Sequence, residues 1–154
     1  MKISQRKAPK RLPLAFWDTS AIVPLCGRQR ESGRARQASR SYGMVVWWAT
    51  TVEAASALFR LRREGGLTGT ETSQAIGRLD QLRTRWNEIT PTDAVRDLAR
   101  RLLALHKLRA GDALQLAAAL DWCSNRPHGR TFIAGDGDLL GAADAEGFTC
   151  IQLK

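Results

Sequence analysis

Cysteine is scarce in this 154-residue chain: there are three, Cys26, Cys123 and Cys150. An odd number with no C-x-x-C spacing argues against a disulfide framework and a zinc site, and fits a reducing compartment. The three are read as small buried apolar residues. Histidine is scarcer still, with His106 at the end of a helical stretch and His128 in a polar loop. There is no G-x-S-x-G elbow and no phosphate-cradling glycine loop, so a Ser-His-Asp hydrolase and a P-loop enzyme are both set aside. Long apolar runs are also missing. The stretch after the basic start "MKISQRKAPKRLP" is too short for a secretion-signal core, and none elsewhere would cross a bilayer. These absences lead to the expectation of a cytoplasmic protein. Acidic residues are the minority charge, 15 against 24 Lys and Arg, for a net charge of +9. Such an excess suits a polyanionic partner, nucleic acid or an acidic protein.

What is present is enough for one domain with a real core, since 44% of the residues are apolar. Residues 1–13 read as a mobile basic arm with two prolines, and 14–154 as the folded unit. "LAFW" (14–17) is a buried strand, and "DTS" is a turn that can cap a helix. "ESGRARQASRSY" is polar and helical in character. "MVVWWAT" (44–50) has the β-branched and aromatic content of a strand. A helical period follows in "TVEAASALFRLRREGG", stopped by Gly65 and Gly66, and another covers about 70–86. "TPTDAVRDLARRLLALHK" opens with Thr90 as cap and Pro91 in the first turn, then repeats Val95, Leu98, Leu102 and Leu105 at helical spacing. A helix over 112–123, a strand "TFIAG" (131–135), a short helix and a last strand "FTCIQL" complete the chain. Short buried strands alternating with helices define an α/β fold, a mostly parallel central sheet covered by helices on both faces.

In open parallel sheets, ligands bind beyond the carboxyl ends of the strands. Asp18 directly follows the first strand, Glu53 lies in the first turn of the helix after the second, and Asp136 directly follows "TFIAG". Asp112 stands at the mouth of the apolar helix "GDALQLAAAL" and can reach the same edge. Helix capping alone accounts for any one of them. Four together repel one another unless a cation sits among them, and oxygen-only ligands select Mg²⁺ or Mn²⁺. A positive surface around such a pocket suits phosphodiester chemistry.

At these residues the chain resembles a family. "FWDTSAIVPL", "TTVEAASALFRLRREGGL", "LRAGDALQLAAAL" and "FIAGDGDLLGAA" look like the four acidic motifs of the PIN domain, in order. The likeness is strongest to VapC-type ribonuclease toxins of bacterial toxin–antitoxin pairs and covers about residues 14–153. The resemblance implies that Asp18, Glu53, Asp112 and Asp136 hold Mg²⁺ (or Mn²⁺) and position an attacking water for RNA cleavage. It further implies a homodimer and a VapB-like antitoxin that blocks the site. Two departures stand out: the basic arm ahead of the first strand, and Ala134 where the family often has Thr two residues before the fourth acid. Asp138 fits either an extra ligand or a helix-capping role. Thr19 and Ser20 fit either the metal shell or a cap on the next helix.

Two other readings remain beside this one. A PIN-like module could bind RNA or protein without cutting it, although a non-catalytic domain has no reason to keep four mutually repelling carboxylates. "FIAGDGDLLG" also resembles the D-x-D nucleophile motif of haloacid-dehalogenase-type phosphatases, but Leu140 stands where that motif needs Thr or Val. Trp17, Trp47 and Trp48 are read as core or dimer contacts.

Overall fold

Side chains alternate across a strand with a period of two, and in "LAFW", "MVVW" and "FIA" both sets are apolar. A sheet built from such strands has to be covered on both faces. A computed structural model describes residues 11–29, 31–135 and 137–154. Residues 1–10 of the expected arm, and Asp136, lie outside the described residues.

Five strands, β1 (Leu14–Trp17), β2 (Gly43–Trp47), β3 (Asn87–Ile89), β4 (Thr131–Ala134) and β5 (Thr149–Gln152), form one sheet in the order β3-β2-β1-β4-β5. Every pairing among them is parallel. Ala15, Trp17, Val46 and Ile133 face one layer, beneath α1 (Thr19–Cys26), α2 (Ser32–Ser41), α3 (Thr50–Arg63) and α4 (Gly69–Arg83). Phe16, Val45, Trp47, Phe132 and Ala134 face the other, beneath α5 (Asp93–Leu105), α6 (Ala110–Trp122) and α7 (Asp138–Glu146). The expected α/β class and two-sided cover are therefore what the chain adopts.

The order fixes where a site can form. From β1 the chain moves outward to β2 and β3, then returns to the other side of β1 for β4 and β5. Helices leave the carboxyl ends of β1 and β4 toward opposite layers, which opens a crevice between them.

Three local expectations need correcting. The strand expected over 44–50 spans Gly43–Trp47, and α3 already begins at Thr50. Trp48, past the strand end, is half exposed, which leaves the dimer-contact alternative of its two readings. The helix after Pro91 is capped by Thr92, not Thr90: the Thr92 hydroxyl accepts from the Val95 N–H at 3.3 Å. β3 was not anticipated. It has three residues, two of them polar, at the edge of the sheet, and so carries no apolar signal. The cysteines behave as expected at Cys26 and Cys123, which are buried and free, while Cys150 is partly exposed.

Phe132 anchors one layer, its ring stacked on Phe16 at 5.3 Å and tilted against Phe148 at 5.6 Å. Phe132→Ala is expected to destabilise the protein by about 3–5 kcal/mol. The check is a urea titration, in which the midpoint falls while the slope stays that of the wild type.

Candidate active site

The site starts from how β1 ends. One residue past Trp17, the Asp18 N–H still donates to the Ile133 carbonyl at 2.9 Å, which extends the pairing of β1 with β4. The chain then turns into α1 with Asp18 as its N-cap, and the carboxylate accepts from the Ser20 N–H at 3.0 Å. It also accepts from the Ser20 hydroxyl. Asp18 is thus drawn almost wholly out of water, at 7% exposure. The cap foreseen for Thr19 or Ser20 belongs to Asp18 itself.

Ser20 does a second job. Its hydroxyl accepts from the Gly135 N–H at 2.7 Å, and so ties the end of β4 to the start of α1. The approach is close: a Cβ at Gly135 would stand 3.1 Å from the Ser20 Cβ.

Glu53 comes from the first turn of α3. Its Oε2 accepts from the Thr19 hydroxyl at 2.8 Å and from the Gln115 amide at 3.0 Å. Gln115, itself buried on α6, also donates to the Thr19 hydroxyl at 2.9 Å and reaches the Thr50 hydroxyl at 3.4 Å. Asp112 lies in the first turn of α6, whose N-cap is Arg109, so Asp112 is not the capping residue. It lines a cleft of about 740 Å³ together with Asp18, Glu53, Thr19, Arg60 and Lys154.

The carboxylates act on one another. Burial pushes the Asp18 carboxyl up from 3.8 to about 6, the two Ser20 hydrogen bonds oppose that rise, and the charges of Asp112 and Glu53 add to it. Three of the four expected acids therefore share one electrostatic site. Asp136 lies outside the described residues, between Gly135 and Gly137. Asp138 is exposed at the start of α7 and does not line the cleft.

Among the described residues no three His, Cys, Asp or Glu side chains stand close enough together to enclose a metal ion. The donor chemistry does fit one. The carboxylates that face each other offer oxygen only, one is desolvated, and the repulsion among them is what a hard divalent cation relieves.

Charge and strand position do not reveal the neutral members of the site. Gln115, Thr50 and the specific role of Thr19 were missed. One signal was available: Gln115 is the single polar residue in the otherwise apolar run "ALQLAAAL" (113–120).

The PIN domain family model matches residues 15–144, and the chain belongs to that family. No curated protein matches it by sequence. Among solved structures, VapC20 of Mycobacterium tuberculosis, a sarcin–ricin-loop-cleaving toxin, superposes with a TM-score of 0.63 at 20% identity, over 90% of this chain and 98% of that one. FitAcB of Neisseria gonorrhoeae gives 0.63 at 17% identity, over 91% and 98%. A toxin–antitoxin complex of Klebsiella pneumoniae gives 0.61 at 16% identity, also over 91% and 98%. At these identities the likeness is one of fold.

The raised Asp18 carboxyl has a stability consequence. Between about 4 and 6 the folded state binds a proton that the unfolded state has lost, so stability falls as pH rises through that interval. A shift from 3.8 to about 6 corresponds to about 3 kcal/mol. Asn at this position keeps the cap without the charge. In chelator, Asp18→Asn is expected to gain up to about that much over the wild type by pH 7, and to lose the advantage below pH 4. Urea melts across that range check it, and a gap independent of pH would contradict it.

Proposed function

We propose that the protein is a divalent-metal-dependent endoribonuclease and the toxin of a VapBC-type toxin–antitoxin pair. The observation that carries this reading is the desolvated Asp18 carboxylate facing Glu53 and Asp112 in a cleft that also holds Arg60 and Lys154. In this reading Asp18, Glu53 and Asp112, joined by Asp136, hold Mg²⁺ or Mn²⁺. When bound, such a cation supplies charge neutralisation at the scissile phosphate and activates water.

The chain's own groups do the rest. Ser20 orients Asp18, while Thr19 and Gln115 orient Glu53. Arg60 and Lys154 contribute positive charge beside the acids, and the net charge of +9 gathers a phosphate backbone over a wider surface. RNA as substrate fits both the charge and the acid set. The neighbours described above include a toxin–antitoxin complex, and a further one is FitAB bound to a DNA fragment. They support an antitoxin partner, and the acid set suits a cationic side chain on it. The exposed Trp48, Val52 and Phe59 support a homodimer contact. No helix among the described residues is long and apolar enough to cross a membrane, and an RNA substrate fits the expected cytoplasmic location.

Incubating the purified protein with RNA and Mn²⁺ tests this. Asp18→Asn and Asp112→Asn are expected to lower the cleavage rate by at least about 100-fold and to leave RNA affinity intact or improved, since a charge repelling phosphate is gone. Cleavage surviving in excess chelator and in both variants would overturn the reading. Tight RNA binding with no cleavage under either metal would favour the non-catalytic module instead.

A further inference from the structure

Gln115 is an odd choice for its place. It is 1% exposed on an apolar helix, and its Oε1 has no hydrogen-bond partner among the described residues. An orphaned buried acceptor is destabilising, and an apolar side chain of the same volume would not carry one. The orphaned Oε1 gives no reason for an amide at this position. Its Nε2 gives one, because it reaches Thr19, Thr50 and Glu53 on two helices of the opposite layer.

The geometry at Glu53 is selective. The hydrogen bonds it receives from Thr19 and from Gln115 both fall on Oε2. A lysine or arginine in place of Gln115 would hold the carboxylate but also neutralise it. A neutral amide fixes the orientation and leaves the negative charge available to a cation. Asp112 and Gln115 are three residues apart on α6, so they share a face of that helix. One turn of α6 thus delivers both an acid and the group that aims a second acid from another helix.

We infer that Gln115 is a positioning residue that fixes the Glu53 carboxylate, through direct and Thr19-bridged hydrogen bonds, with Oε1 presented to a divalent cation. This rests on the metal-dependent reading above and adds to it a specific neutral residue on which cation affinity depends. Partners of this kind contribute about 10–100-fold in affinity elsewhere.

The test is Mn²⁺ binding to the full chain, read from loss of the free-ion electron paramagnetic resonance signal, with thermal melts of every variant alongside. Gln115→Met keeps the volume and removes the amide, and is expected to raise the Mn²⁺ Kd about 10–100-fold. In a Glu53→Gln background the same change is expected to alter Kd less than about threefold, because the two act as a unit. If Asp112→Asn and Glu53→Gln weaken Mn²⁺ binding but Gln115→Met does not, the positioning role is overturned and the metal-dependent reading stands. If none of the three weakens binding, both fail. Should Gln115→Met not fold, Thr19→Val replaces it: the bridging hydroxyl is removed, Kd is expected to rise about tenfold, and an unchanged Kd overturns the inference.

Discussion

Three demands meet on the Asp18 carboxylate. It must cap α1, it must stay out of water between β1 and β4, and it must tolerate the charges of Glu53 and Asp112. A buried ion without a counter-charge is among the least favourable arrangements a fold can hold. The surroundings reduce that cost without removing it. Two donors from Ser20 stabilise the ionised form, but burial outweighs them, and the carboxyl remains well above its ordinary range. The ionised Asp18 is therefore held with a deficit of stabilisation, in a chain whose net charge is positive. Much of the local architecture can be understood as holding that deficit in place: the early turn into α1, the small residue at Gly135 and the Ser20 bridge all serve it.

What could be seen in the sequence follows from which signals are local. β1, β2 and β4 face two covered layers as largely apolar runs, and so they stand out against the helical periods between them. β3 does not, because an edge strand of "NEI" needs little burial and shows no pattern. Thr90 and Thr92 flank Pro91 and offer equivalent caps to any local rule. Only the path of the backbone decides for Thr92.

The positions of the acids were legible for a similar reason, since Asp18 and Asp136 directly follow strands and Glu53 and Asp112 fall in the first turns of helices. Gln115 was not, because its meaning lies in bonds to Thr19 and Glu53, distant in the chain and adjacent only once both layers are in place. The same holds for Ser20, whose bond to Gly135 joins segments that the sequence keeps far apart. Asp136 was placed by its position after β4 and lies outside the described residues.

The hydrogen bonds of Gln115 cross from the α5–α7 layer to the α1–α4 layer beyond the strand ends, where no sheet intervenes. The two hydrophobic layers are otherwise separate, each with its own core. A carboxylate aimed from one side by an amide on the other works as a gauge of alignment: a small slide of α6 over the sheet changes where Glu53 points while leaving both cores full. Positions deep in either layer, remote from any acid, thereby acquire a share in how Glu53 is aimed. Tolerance to change at such positions is set by registration between layers as well as by packing within one.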